Sequence, residues 1–381
     1  KIQQLFGIVM ILAALAIFTN YDQKFQLALL NQFPALGIAV NGFENSRLVT
    51  NQLELLKGTK ITKETPGLFN SNIMAPDFTG VTKWLNTDKS VYLKDLKGKV
   101  VLVDFWTYTC INCIRTLPHV TSWYEKYKDQ GFVVVGVHTP EFQFEHDTGN
   151  VLQAIKMFNI HYPVAQDNDY ATWNNYSNQY WPAEYLIDAK GVIRRTHFGE
   201  DEYPEMEQAI QLLLKDAGHK ITKSLDTMPD QTPKIQLSPE TYLGAKRMEF
   251  YYPSGNPGAG KHTFVLDDTL SLNSFSLGGE WEIADENALT SDNSVLNYNF
   301  YADKVFLVLR PGKVLNTKVK VFLDGKSVDV TNSGADVING VVTIDSDRLY
   351  NLINLKGVAG NHLLRLEFQN SGIEVFAFTF G

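Results

Sequence analysis

Lys99–His119 reads KVVLVDFWTYTCINCIRTLPH, and two changes of pattern within it decide the fold. Lys99–Phe105 is a near-continuous apolar run, the mark of a strand covered on both faces of a sheet. From Cys113 to Lys128, Leu117, Val120, Trp123, Tyr124 and Tyr127 recur at helical spacing. Cys110 and Cys113 therefore stand where a buried strand gives way to a helix. Two cysteines three apart on a first helical turn can close a bridge, and the unpaired N–H groups and dipole there favour a thiolate. Cys110, the more exposed at such a corner, is the expected nucleophile and Cys113 the resolving thiol, a redox-active Cys110–Cys113 pair.

The chain has two cysteines in all, so a disulfide scaffold is excluded. Other uses of the pair fit less well. A c-type haem site needs His after the second cysteine, where Ile114 stands. A structural zinc site lacks a second cysteine pair, and His119 would leave a fourth ligand unfilled. A peroxiredoxin would place proline at Val103, although Thr107 matches its threonine. A purely structural bridge of this span restrains little chain entropy. Dithiol redox chemistry, with no cofactor and no metal, is the expected reading.

Working outward, Phe132–Val137 reads as a second buried strand and Val151–Phe158 as a helix. Ala183–Asp188 and Val192–Phe198 flank Ala189-Lys190-Gly191, a hairpin turn with glycine where φ > 0 is needed. Glu205–Leu214 reads as an amphipathic helix. This order describes an α/β sheet flanked by helices with an antiparallel edge over residues 75–218. Residues 219–233, rich in Lys, Thr, Asp and Pro, read as a linker. From 234 to 381 the period shortens to alternating, turn-bounded segments: 247–252, 262–266, 271–277, 295–300, 304–310, 318–323, 340–345, 362–368 and 373–380. Asp324-Gly325 is the strongest hairpin signal among them. An all-β sandwich or jelly roll is expected there.

The 381 residues, 44% hydrophobic and 20% charged, describe a globular chain of two to three domains. A net charge of −8 argues against a nucleic-acid partner. Leu5–Phe18 is an unbroken apolar run, and Ile2–Tyr21 approaches the ~20 residues that span a bilayer. Residues 1–40 are therefore expected to be a membrane anchor with an N-terminal hydrophobic helix, and 41–74 a tether with one short helix at Ser46–Leu56. Lys1 on the inside would place the rest beyond the inner (cytoplasmic) membrane, on the extracytoplasmic, periplasmic side.

The stretch VLVDFWTYTCINCIRTLPH resembles the active-site segment of the thioredoxin superfamily in its redoxin branch. The resemblance implies that Asp104 is a buried acid that moves the proton of Cys113, and that Trp106 matches the first conserved tryptophan. Pro118 falls at the kink of the active-site helix, and Pro182 in Trp181-Pro182-Ala183 at the cis-proline facing the disulfide. Thr109 replaces the second tryptophan, and Ile111-Asn112 between the cysteines replaces Gly-Pro, a departure that leaves reductant versus oxidant open. The strings VGVHTPEF, YPVAQDNDYATW, YWPAEYLID, HFGEDEY and SPETYLGAKR, in this order, are similar to DipZ-type proteins. That narrower resemblance implies a CcdA/DsbD-like membrane domain as electron donor, a redoxin domain, and a carbohydrate-binding-module-like β-domain over 234–381.

On these grounds a membrane-attached reductant of protein disulfides is expected. A dedicated apocytochrome c thiol reductant and a cell-surface glycan- or partner-binding module are the alternatives. Glu141, after the strand ending at His138-Thr139-Pro140, could raise a cysteine pKa or move protons, or simply cap a helix. His138 and Trp173 read as packing residues. The aromatics Tyr251, Tyr252, Trp281, Tyr298, Phe300 and Tyr301 could stack on a cell-wall glycan, though core positions suit them better. No convincing carboxylate pair supports glycoside hydrolysis.

Overall fold

The computed structural model describes residues 67–253 and 255–381, and residues 71–381 form one compact unit. The expected anchor, and the short helix at Ser46–Leu56, lie outside the described residues. Among the described residues no helix is long and apolar enough to cross a membrane.

The first half of the unit runs β1 (Ile73–Met74), β2 (Lys83–Leu85), β3 (Val100–Trp106), α1 (Ile111–Tyr127), β4 (Phe132–His138), α2 (Thr148–Met157), β5 (Val164–Gln166), α3 (Ala171–Asn175), β6 (Ala183–Ile187), β7 (Val192–Phe198) and α4 (Tyr203–Asp216). Its seven strands lie in the order β1-β7-β6-β3-β4-β5-β2. β3, β4 and β5 are parallel, β6 runs antiparallel to β3, and β7 antiparallel to β6. Every residue of β3 is buried, as its near-continuous apolar run requires. One face of the sheet carries Val101, Val103, Phe105, Val135, Val137, Tyr185 and Ile187, packed on Trp173 and Tyr176. The turn after β6 places Gly191 at φ +91°, where a side chain would be strained. This is the thioredoxin-like arrangement that the resemblance implies. β1 already pairs with β7 two residues ahead of the expected domain start.

Local signals set most element ends. Asp147 caps α2, its carboxylate accepting from the backbone N–H of Gly149 at 2.7 Å and Asn150 at 3.1 Å. α1 begins at Ile111 rather than Cys113, because Cys110 itself is the N-cap. Residues 219–233 hold no regular structure, yet they are laid along α1 and α4. Lys223 Nζ donates to the Lys126 carbonyl at 2.6 Å, Gln211 donates to the Lys223 carbonyl at 2.9 Å, and Ser122 donates to Asp226.

The second half is all β: β8 (Thr241–Tyr242), β9 (Gly260–Phe264), β10 (Ser274–Ile283), β11 (Ala288–Thr290), β12 (Ser294–Ala302), β13 (Lys304–Arg310), β14 (Thr317–Leu323), β15 (Lys326–Ser327), β16 (Val337–Ile338), β17 (Val341–Ile344), β18 (Arg348–Asn354), β19 (Gly360–Phe368) and β20 (Glu374–Phe380). These join into one thirteen-stranded sheet. The join is β10: Ser274–Gly278 pairs with β12, and Gly279–Ile283 with β9 and β11. Gly278 and Gly279 stand at the changeover. A Cβ on Gly278 would meet Leu266 at 2.8 Å, and Gly279 has φ +83°. Residues of both halves of the sheet, among them Leu277, Leu296, Leu307 and Phe378, share one core.

One local expectation fails, and one strand lies outside the expected segments. Arg247–Tyr252 is not a strand: Tyr251 makes a single bridge to Phe275, the chain being turned by the cis Tyr252–Pro253 bond. β18 carries no period-two signal, because RLYNLIN breaks strict alternation, although Tyr350, Leu352 and Ile353 are all buried. Of the six aromatics considered for sugar stacking, Tyr251, Trp281, Tyr298 and Phe300 lie in the core, and Tyr252 and Tyr301 are exposed.

Candidate active site

The turn Thr107–Thr109 carries the chain from β3 to Cys110. Cys110 is partly exposed and Cys113 buried, and both are free thiols. Their Sγ atoms are 2.6 Å apart, and the Cys113 N–H donates to Cys110 Sγ at 3.2 Å. The N-cap position thus aims the Cys113 N–H of the first helical turn at the sulfur that must carry negative charge. Burial first, and then the hydrogen bond to Cys110, push the Cys113 thiol well above its ordinary value. Cys113 therefore needs a base before it can act. Asp104, whose charge reaches Cys113, is fully buried, and burial lifts its carboxyl to about 7.

The other expected site residues are placed as follows. Pro182 is cis after Trp181, at the start of β6 beside β3. The Trp181 indole N–H donates to the Thr139 carbonyl at 3.1 Å. Trp106 is wholly buried, edge-on to His138 and Phe158, so it supports the site from behind. His138 is buried as well, its ring pushed down to about 3 by burial. Glu141 lies on the rim. It accepts from Arg247 Nη1 at 2.8 Å and from the Tyr242 hydroxyl at 2.8 Å, both from the β-rich half.

Several residues that the sequence reading passed over take part. Glu145, fully buried, accepts from the Thr109 hydroxyl at 2.6 Å and from the backbone N–H groups of Glu141 and Phe142 at 2.6 and 3.0 Å. It fastens the loop after β4 to the turn before Cys110, and burial holds its carboxyl up at about 7. Thr109, standing where the thioredoxin superfamily keeps its second tryptophan, is thus a hydrogen-bonding residue here. Arg115 binds Glu200 through two contacts of 2.7 and 2.8 Å and Asn112 at 2.8 Å, fixing the residue between the cysteines. Glu184, on β6, is buried beside Asp104. The signal for Glu184 was present, a carboxylate inside an otherwise apolar strand. Nothing local marked the partners of Arg115 or Glu145.

Cys110 opens on a groove of about 540 Å³ between the two halves of the unit. Gln179, Tyr180 and Trp181 form one wall, and Tyr242, Arg247 and Phe380 the other. The β-rich half therefore stands beside the reactive sulfur. Chemically, the arrangement offers an accessible sulfur at a helix start, a sealed second sulfur within bonding reach, and a buried acid to take its proton.

Comparison with known proteins agrees with this chemistry. The model for the AhpC/TSA family matches residues 72–196, and that for the thioredoxin-like C-terminal domain matches residues 238–381. Protein DipZ of Mycobacterium tuberculosis (strain CDC 1551 / Oshkosh) is 42% identical over 313 residues, 81% of this chain and 43% of that protein. The chain thus spans less than half the length of this relative. The thiol-disulfide oxidoreductase YkuV of Bacillus subtilis (strain 168) is 31% identical over 140 residues, 36% of this chain and 93% of YkuV. A crystal structure of a thiol:disulfide interchange protein of the thioredoxin family from Chlorobium tepidum TLS is 25% identical, covering 38% of this chain and 97% of that one, with a TM-score of 0.33.

Proposed function

The chain belongs to the thioredoxin-like thiol–disulfide oxidoreductases, and from that premise we propose that it reduces protein disulfides through Cys110 and Cys113 on the extracytoplasmic side of a membrane. The observation that carries this reading is the asymmetry of the two sulfurs, one open to the groove and one sealed beside an acid. The Cys110 thiolate attacks one sulfur of a client disulfide, forming a mixed disulfide and releasing the first client thiolate. The Cys113 proton passes to Asp104. The Cys113 thiolate then attacks Cys110 Sγ, releasing the second client sulfur and leaving Cys110–Cys113 oxidised. Two electrons pass to the client.

Repeated turnover in an oxidising compartment requires a reductant. A CcdA/DsbD-like membrane donor fits the likeness to DipZ, and the apolar run Leu5–Phe18 suits attachment to the same membrane. The groove favours clients that present the disulfide on an extended segment, because the β-rich half stands over Cys110. Reduction of an apocytochrome c is one such case. A cell-wall glycan bound by the β-rich half has weaker support, since four of the six candidate aromatics are core residues.

Insulin reduction with a chemical donor tests the central claim. Wild-type protein precipitates the insulin B chain and Cys110→Ser does not. Equal activity in the two would refute the reading.

A further inference from the structure

The fate of the Cys113 proton is a separate matter from its removal. Asp104 is about 1% exposed and receives that proton in a sealed interior. Strand register supplies a continuation. Asp104 on β3 is directly opposite Glu184 on β6, and Glu184 is directly opposite His197 on β7. Directly opposed residues of antiparallel strands stand on the same face, with Cβ atoms about 4.5–5.5 Å apart. The intervening Phe105 and Tyr185 point to the opposite face, into the cluster with Trp173. Three titratable side chains thus form one row across the sheet on the Cys113 side.

The row runs from interior to surface. Glu184 is about 2% exposed, whereas His197 is half-buried and its Nδ1 lies 3.5 Å from the largely exposed carboxylate of Glu202. Asp104 Oδ2 and Glu184 Oε1 are both buried without a hydrogen-bond partner. Such atoms are costly to leave unsatisfied, and two adjacent buried carboxyls cannot both stay ionised. Burial, and then the charge of Asp104, hold Glu184 well above the usual carboxylate range. The other groups facing the pair are the buried Tyr162 phenol, Arg195, which is bound to Glu202 at 2.5 Å, and the Cys113 thiol itself. Gly136, opposite Asp104 on β4, brings no charge.

We propose that Asp104, Glu184 and His197 form a cross-sheet proton line between Cys113 and solvent, with Glu184 as the relay that clears Asp104 during the resolving step. The proposal rests on the dithiol reading above. In that step the Cys113 S–H bond breaks and its proton joins Asp104. The Cys113 thiolate forms the S–S bond to Cys110, and the Cys110–client bond breaks with its electron pair on the client sulfur. Glu184, the protonated member of the pair, passes its own proton to His197 and takes the one on Asp104, and His197 releases a proton to water. The departing client thiolate takes a proton from water, so charge and protons balance.

The aromatic disulfide DTNB separates the two steps in the intact protein. Attack by Cys110 releases one coloured thiolate, and resolution by Cys113 releases a second. In Glu184→Gln, the first phase keeps the wild-type rate and the second slows about a hundredfold, the lower end of what a positioned proton-transfer group supplies. Glu184→Asp recovers most of that loss, and His197→Gln slows the second phase alone. A second phase at the wild-type rate in Glu184→Gln overturns the proposal, and so does a loss shared equally by both phases. A wild-type protein that released no coloured thiolate would instead sink the dithiol reading itself.

Discussion

The Glu141 carboxylate and the Arg247 guanidinium, 106 positions apart in the chain, meet at 2.8 Å on the rim of the groove that holds Cys110. Arg247 also lies 3.6 Å from the centroid of the Tyr242 ring, and the Tyr242 hydroxyl donates to the same Glu141 oxygen. Directly behind this tie, Phe376 of β20 packs on Phe142 and Phe144, with ring centroids 5.0 and 4.8 Å apart. A polar rim over an apolar seat joins the β-rich half to the loop after β4. The Arg247 side chain is 42% exposed, so the ion pair positions the rim more than it stabilises the join.

That division can be measured. Phe376→Ala removes a buried ring and should lower unfolding free energy by about 3–5 kcal/mol, whereas Arg247→Ala should cost about 1 kcal/mol or less. Urea denaturation of both variants checks the order. An equal or reversed cost would mean that the seat is not what holds the halves together.

Accessibility orders the two thiols. Cys110 faces the groove and Cys113 is about 1% exposed, so iodoacetamide should modify Cys110 while Cys113 stays largely unlabelled in the folded protein. Peptide mass spectrometry after short exposure reads this directly. Equal labelling would remove the roles assigned to the pair. Cys113→Ser should in turn accumulate a mixed disulfide with client.

Asp104 links stability to pH with a definite sign. Its carboxyl titrates near 7 when folded and near 4 when unfolded. Between those values the folded state binds the extra proton, so its contribution is complete below pH 4 and is lost as pH rises towards 7. Asp104→Asn removes this dependence. The variant should therefore gain on wild type through that window, reaching about 4 kcal/mol above pH 7. Glu145, also held near 7, remains in both proteins and tilts both curves alike. Parallel stability profiles from pH 4 to 8 would contradict the burial argument.

Arg115 and Glu200 are a nearly sealed pair, their side chains 8% and 11% exposed. Removing one partner strands the other, so Arg115→Met or Glu200→Met alone should cost about 3–5 kcal/mol. The double replacement should cost clearly less than the two singles together. A double-mutant cycle by thermal unfolding decides, and strict additivity would show that the two charges are not coupled.

Much of the redoxin half was legible because its signals are local. A near-continuous apolar run makes β3, helical spacing makes α1, and the corner between them places Cys110 at a helix start. Gly191 and the Asp324-Gly325 pair, with φ of +50° and +76° at the latter, mark turns through backbone sterics alone. The same locality explains the failures. RLYNLIN lacks strict alternation, and its strand character comes from pairing with β13, a strand distant in the chain.

The sequence by itself determined the two thiols, their unequal setting at a strand–helix corner, and the acid six residues before Cys110. Only the tertiary structure decided what surrounds them. Glu145 beneath Thr109, Glu200 on Arg115, the Asp104–Glu184–His197 row and the Arg247 rim all depend on contacts between segments distant in the chain. Strand register and domain packing set those contacts. Period and spacing record which face of its own element a side chain takes, and carry no trace of what lies across from it.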